Sequence, residues 1–380
     1  MRIGFDARYL SHGLTGGVRT YVYHLAKELP RLAPEHDFYF YADAKAPFEL
    51  KNLPDNVTLR ILPWSSAFSS LRNDLIIGRY MERDRVEVVH WPANYGPKST
   101  MPIVVTLHDT LNLFPMSQHL RGFGRRPRQI ALMMYLGSKT RATLGRASRL
   151  ITVSHHARTD IAAKSGYPVG SIDVTYEAAS EEFRVIDERS VLDSCRVRHN
   201  LFRRFVLADG IKNAAATLEA YQRLPEHLKR CTDLVFFSRE PAPRSAVAAA
   251  LDDWRIHFIP RPSTADLVAL MNLAAVFAFP SWYEGFGLPL VEAMQCGLPI
   301  VASSRAAIPE IVGDGGLIFD LDSGDGFRAH LRTLLENERL RKDLASKALA
   351  RSRQFSWRET ALQTLAIYES VAAIRSRHIA

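Results

Sequence analysis

The residues best placed to do chemistry are Glu284 and Glu292, which flank the loop Gly285-Phe286-Gly287-Leu288-Pro289. Carboxylates at such positions accept hydrogen bonds from hydroxyl groups. Pro289 suits the first turn of a helix, because its ring presets φ and it lacks only an N–H that has no partner there. One carboxylate is then expected before the loop and the other inside the first helical turn. The unpaired N–H groups at a helix start attract anions such as phosphate. Together these features suit a ligand carrying several hydroxyls and a phosphate. The same spacing also serves an ordinary strand–loop–helix in which a glutamate favours the helix dipole.

Three shorter motifs could share that work. Gly16-Gly17 opens a helix, permits positive φ and lets a backbone approach a ligand closely. His108-Asp109 directly follows an apolar run, where a histidine can meet a sugar hydroxyl or a developing charge while the aspartate orients it. His90 holds a similar but weaker position. Lys212-Asn213 also follows an apolar run, and its lysine would act as a point charge toward a diphosphate. Each pair alone is equally compatible with a turn, a structural hydrogen bond or a surface cap.

The elements that must hold these residues alternate regularly. Strand-like runs are Arg2–Phe5, Phe38–Tyr41, Val57–Leu62, Val86–His90, Ile103–Thr106, Leu150–Val153 and Ile172–Tyr176. A second series comprises Phe205–Ala208, Leu234–Phe237, Ile256–Ile259, Val276–Phe279, Ile300–Ser303 and Leu317–Phe319. Helical periodicity lies between them, most clearly in Val18, Tyr21, Val22, Leu25, Ala26 and Leu29. Alternating strands and helices predict an α/β chain with two doubly wound, Rossmann-like parallel-sheet domains. The polar stretch Glu181–Asn200 reads as the linker. The expected division is 1–185, 186–355 and a C-terminal helical segment 356–380 that packs back on the first domain. Ligands of such sheets bind beyond the carboxyl ends of the strands, so the expected site is the cleft between the domains.

The chain has 380 residues, 47% hydrophobic and 23% charged, as expected for a globular protein with a full core. Cys195, Cys231 and Cys296 show neither metal-like spacing nor an even count, which fits a reducing compartment. The apolar run Leu267–Phe279 is too short for a membrane span of about 20 residues, so a cytoplasmic protein is expected. The net charge is +9, and segment 101–150 carries eight Lys/Arg against one acid, Asp109. Arg121, Arg125, Arg126 and Arg128 lie there beside Ile130, Leu132, Met133, Met134, Tyr135 and Leu136. A basic stretch with apolar anchors suits an anionic membrane surface or a phosphate-rich acceptor, and equally a buried helix with solvated basic ends. Nucleic acid is disfavoured, since interleaved aromatics and a recognition motif are lacking.

Taken together, Phe279-Pro280-Ser281-Trp282-Tyr283-Glu284-Gly285-Phe286-Gly287-Leu288-Pro289-Leu290-Val291-Glu292-Ala293-Met294, Cys296–Ser303 and Pro309–Asp314 resemble the donor-binding signature of the retaining glycosyltransferases of family 4. Gly16-Gly17, Thr106-Leu107-His108-Asp109 and Val153-Ser154 follow in that family's order, so the resemblance covers essentially the whole chain. It implies the GT-B fold and transfer from a nucleotide sugar (a GDP-, UDP- or dTDP-sugar) with retention. With the basic segment 121–149, the acceptor is expected to be a glycan or lipid-linked intermediate of cell-surface polysaccharide synthesis, met at the inner face of a membrane. By the same resemblance Glu284 meets the donor sugar and Glu292 the ribose. The backbone at Gly285, Phe286, Gly287 and Leu288 lies against sugar and diphosphate, and Gly16 and Gly17 approach the phosphates. His108 lines the reaction centre, Lys212 with Asn213 holds the leaving diphosphate, and no metal ion or other cofactor is required. Trp282 and Tyr283 would shape the sugar pocket.

One departure stands out. The family's longer loop ending in Arg-Lys-Asn is cut to Ala208-Asp209-Gly210-Ile211-Lys212-Asn213, with Ile211 at the arginine position. A lost charge-assisted hydrogen bond costs about 1.5–3 kcal/mol, unless Arg239 after the next strand substitutes. The alternative reading is therefore a catalytically weakened relative that binds nucleotide or glycan for a partner transferase. An epimerase of the same fold is the weaker third reading.

Overall fold

The computed structural model describes residues 1–13, 16–65, 69–114 and 127–379, and the chain divides into two compact units. Residues Met1–Glu177 with Trp357–Ala380 form the first, and Ala178–Ser356 the second.

The first unit is built on seven strands: β1 (Arg2–Asp6), β2 (Asp37–Asp43), β3 (Val57–Leu62), β4 (Val88–Trp91), β5 (Ile103–Thr106), β6 (Arg149–Thr152) and β7 (Ile172–Val174). Their order is β3-β2-β1-β4-β5-β6-β7, and every pair is parallel. The second unit has β8 (Arg204–Asp209), β9 (Thr232–Ser238), β10 (Ile256–Pro260), β11 (Val276–Phe279), β12 (Ile300–Ser303) and β13 (Gly316–Phe319). These run parallel in the order β10-β9-β8-β11-β12-β13. Parallel strands covered on both faces read as continuous apolar runs; Val276, Phe277, Ala278 and Phe279 of β11 are all fully buried.

Each sheet reverses its order at one place, between β1 and β4 in the first and between β8 and β11 in the second. Loops leaving neighbouring strands at such a switch point diverge and open a crevice. That topology places the loop after β8, with Lys212, beside the loop after β11, with Glu284.

The helix Gly17–Leu32 buries Tyr21, Val22, Leu25, Ala26 and Leu29, the stripe its periodicity predicts. It packs against the C-terminal helix Trp357–Ile379, where the His24 ring stacks on Trp357 at 4.7 Å. Thr360 Oγ1 donates to the Tyr176 carbonyl at 2.5 Å, so the last helix is tied to the first unit.

Two expectations are corrected. The stretch read as a linker holds a helix, Arg189–His199, which belongs to the second unit. Arg196, Arg198 and His199 in its last turn suit the negative end of the dipole, and Asn200 closes it in the left-handed region. The division also falls at Glu177/Ala178 instead of 185/186. Asn272 explains the shift: its side chain accepts from Ile186 N at 2.8 Å and donates to the Arg184 carbonyl at 2.9 Å, fastening that segment to the second unit.

Candidate functional site

Lys212 Nζ lies 2.7 Å from Glu284 Oε1. The loop that delivers Lys212 is tightly specified. Gly210 N donates to the Phe237 carbonyl at 2.7 Å, and Ile211 N donates to Asp209 Oδ1 at 3.0 Å. Asn213 adopts a left-handed conformation at φ 54°, and its side-chain amide donates to the Pro280 carbonyl at 3.1 Å. The end of β8 is thereby stitched to the end of β11, and the shortened loop still brings the lysine to the glutamate. Glu284 also accepts from Ser281 Oγ at 2.6 Å, and Ser303 Oγ donates to the Ser281 carbonyl at 2.6 Å. The serines aim the carboxylate, a role their place in the sequence does not announce.

Burial pushes the Asp209 carboxyl above its usual range, opposed by the Ile211 N–H and the positive charges of Lys212 and Arg239. Arg239 itself is exposed at the end of β9. Its charge acts on the same carboxyl as that of Lys212.

The helix Leu288–Gln295 follows Gly287, whose φ of 101° suits glycine alone; a Cβ there would fall 2.9 Å from Leu290 Cδ1. Pro289 is the second helical residue, so Glu292 lies beyond the first turn and is buried, a correction to its expected place. Phe286 and Leu288 are also buried, with Phe286 edge-on to Phe355 at 5.6 Å. Trp282 is 59% exposed, and Arg305 stands over its ring at 5.9 Å.

In the first unit, His108 follows β5 and is buried. Its Nδ1 faces Glu177 Oε1 at 3.0 Å and its Nε2 faces the Pro92 carbonyl at 2.9 Å. Both partners are acceptors only, so both ring nitrogens must carry protons. Burial disfavours the charge, but the Glu177 carboxylate and the Pro92 carbonyl outweigh it and raise the pKa. The geometry therefore favours the protonated, positively charged ring of His108. Its ring nitrogens are not turned to a ligand, and the aspartate expected to orient it instead accepts from Leu111 N at 2.9 Å. Glu177 was missed because it lies far from His108 in sequence, with no motif linking them.

His90 has the opposite character. Its ring nitrogens meet hydroxyls, Tyr368 OH at 2.6 Å and Thr106 Oγ1 at 2.8 Å, and burial, with the nearby His108, lowers its pKa to about 3. Gly16 caps the helix Gly17–Leu32 at φ 130°, and its carbonyl accepts from Thr20 N at 3.1 Å.

Arg121, Arg125 and Arg126 lie outside the described residues, and Arg128 sits in the first turn of the helix Pro127–Leu144. On that helix Leu132, Met134 and Tyr135 are exposed, and Lys139 stands over the Tyr135 ring at 5.5 Å. This excludes a fully buried helix. Among the described residues no helix is long and apolar enough to cross a membrane.

Two parallel-sheet units, each with one switch point in its strand order, are the architecture of the GT-B glycosyltransferases. Residues 15–182 match the model "Glycosyltransferase Family 4", and residues 209–351 match "Glycosyl transferases group 1". The chain is 28% identical over 290 residues to the O-antigen chain mannosyltransferase B of Escherichia coli, covering 74% of each. Its fold is similar to that of WaaG, a glycosyltransferase involved in lipopolysaccharide biosynthesis (TM-score 0.73, 17% identity, 96% of this chain and 99% of that one). It is also similar to Anabaena Alr3699/HepE in complex with UDP-glucose (TM-score 0.70, 17% identity, 97% of this chain and 100% of that one). The chain belongs to the GT-B glycosyltransferases of family 4, and its activity is glycosyl transfer.

Proposed function

We propose that this glycosyltransferase moves a sugar from a nucleoside-diphosphate donor to a hydroxyl of a growing cell-surface glycan, with retention at the anomeric carbon and without a metal ion. The observation that carries the reading is the 2.7 Å contact between Lys212 and Glu284 at the switch point of the second unit. An ion pair that is 30% and 11% exposed can exchange partners when a ligand arrives. The lysine would turn to the diphosphate and the glutamate to sugar hydroxyls, with Ser281 keeping the carboxylate aimed. The backbone at Gly287, where no side chain intervenes, would lie against the sugar and phosphates. Glu292, deeper in the helix, would take the ribose hydroxyls.

As the sugar–phosphate bond breaks, negative charge grows on the leaving diphosphate. Positive groups already drawn to the bound diphosphate stabilise such charge. Lys212 fills that role, with Arg239 adding to the field in place of the arginine lost at Ile211. In the first unit, His108 cannot act as a base while its ring nitrogens are bonded to Glu177 and Pro92.

The mannosyltransferase similar to this chain favours mannose as the transferred sugar, and the glucose-nucleotide complex of a structural neighbour shares its fold. The exposed apolar residues of the helix Pro127–Leu144, beside a basic segment, suit a lipid-linked acceptor at the inner face of a membrane. The test is an assay of GDP-, UDP- and dTDP-mannose and -glucose with lipid-linked glycan acceptors, reading the product anomer by NMR. The expected product keeps the donor's configuration; inversion, or no transfer from any nucleotide sugar, overturns the proposal. The non-catalytic reading predicts nucleotide binding without transfer.

A further inference from the structure

We infer that Cys195, His199 and Asp266 form a binding site for a thiophilic divalent cation, zinc by chemistry, separate from the Lys212–Glu284 pair. Among the described residues their sulfur, ring nitrogen and carboxylate oxygen converge, all within 4.8 Å of one another. Cys195 and His199 are one helical turn apart on the helix Arg189–His199, so they share a face. Asp266 stands across from them in the first turn of the helix Thr264–Leu273.

The second observation is an orphaned donor atom. His199 Nε2 is buried and has no hydrogen-bond partner, and Asp266 Oδ1 lies 3.7 Å away, beyond hydrogen-bonding distance. A buried polar atom left unmade is costly, and an explanation is owed for it. A metal ion between the nitrogen and the oxygen supplies one. Asp266 is already fixed in orientation, since Ser263 Oγ donates to its Oδ2 at 2.9 Å and accepts from its N–H at 3.1 Å. Such outer hydrogen bonds orient metal-binding carboxylates.

Thiolate, imidazole and carboxylate form a donor set that suits zinc, with bonds of about 2.0–2.3 Å and a water completing the tetrahedron. The side chains need only a modest contraction to reach it. On binding, the Cys195 thiol releases its proton to solvent as the sulfur–metal bond forms, and no electron is transferred. Arg198 now donates to Asp266 Oδ1. Its side chain is 57% exposed, so it can yield that oxygen to a doubly charged ion. The ion would clamp the helix Arg189–His199 onto the helix Thr264–Leu273, against which it already packs.

The experiment is a titration of the metal-free full chain with cobalt(II), whose thiolate complexes absorb in the near ultraviolet and, when tetrahedral, in the visible. The wild type should show both bands and lose them on adding zinc. Cys195→Ser and His199→Ala should each weaken cobalt binding by at least about tenfold, as loss of even an outer partner does at such sites. Cys231→Ser, which alters the exposed cysteine, should leave the bands intact. Asp266→Asn, which keeps the Ser263 contacts, serves if a helix variant does not fold; it too should bind at least about tenfold more weakly. Zinc should also raise the melting temperature of the wild type more than that of the ligand variants. Absence of a charge-transfer band, or a band that survives Cys195→Ser and vanishes in Cys231→Ser, overturns the inference.

Discussion

The two units place charged residues at similar points of their sheets and treat them in opposite ways. In the second unit, Lys212 and Glu284 pair at 2.7 Å at the partly open ends of β8 and β11, with Ser281 as the further support of the carboxylate. In the first unit, the charges near the strand ends are sealed. Arg8 is buried between Asp6 and Asp74, at 2.8 and 2.7 Å, and His108 is bonded at both nitrogens. A partly exposed pair can give up its partner to a ligand at little desolvation cost. A buried, fully bonded group serves as a rigid source of field and shape. The contrast assigns exchange to the second unit and scaffolding to the first.

The largest effect is expected where the sealed network is broken. Arg8→Met leaves the buried carboxylates of Asp6 and Asp74 without the cation bonded to both, and removing one partner of such a network costs about 3–5 kcal/mol. Denaturant unfolding should show that loss; a variant within about 0.5 kcal/mol of wild type would mean the network is as exchangeable as the Lys212 pair.

At the open pair the pattern should reverse, with activity lost and stability kept. Lys212→Ala and Glu284→Ala should each lower kcat by about 10²–10³-fold, the usual range for removing one group that stabilises developing charge. Their melting temperatures should stay within about 2 °C of wild type, as for partly exposed substitutions. A large melting change with activity retained would make the pair structural.

Gly287→Ala should cost about 1–3 kcal/mol, the range for a residue forced into a sparsely populated conformation, and should weaken donor binding as well. Unchanged donor affinity in the folded variant would remove the backbone at Gly287 from the site.

The smallest effects concern pH and separate His90 from His108. Burial holds His90 at about 3 against an ordinary 6.5, so its folded pKa is depressed. The unfolded chain takes up a proton that the folded chain refuses, and the stability contributed is lost as pH falls below 6.5 toward 3. His108 is raised, so its contribution is present below the ordinary value and is lost as pH rises through the raised one. Between about pH 7 and pH 5 the His90→Gln variant should lose less melting temperature than wild type, while Glu177→Gln should lose more. Identical profiles for all three would contradict the protonation states argued from the hydrogen bonds.

The strands were legible because buried parallel strands are apolar on both faces, and each of the thirteen expected runs overlaps an observed strand. The helix Arg189–His199 was not, since Cys195 is its one buried residue and the rest reads as polar linker. Its i, i+4 spacing of Cys195 and His199 was a signal available and unused. The meeting of Lys212 with Glu284 depends on β8 lying beside β11, and strand order is a tertiary fact that no local pattern carries. The same holds for Glu177, which reaches His108 only through the packing of the first unit. Glu292 was placed one residue too shallow because the helix begins at Leu288, ahead of the proline.

The most direct test is calorimetric titration of wild type and Lys212→Ala with nucleoside diphosphates, GDP and UDP among them. One nucleotide should bind the wild type, and the variant should bind it at least about tenfold more weakly, the equivalent of about 1.4 kcal/mol. Equal affinity in the two proteins, or no binding by the wild type, would contradict a diphosphate site at Lys212.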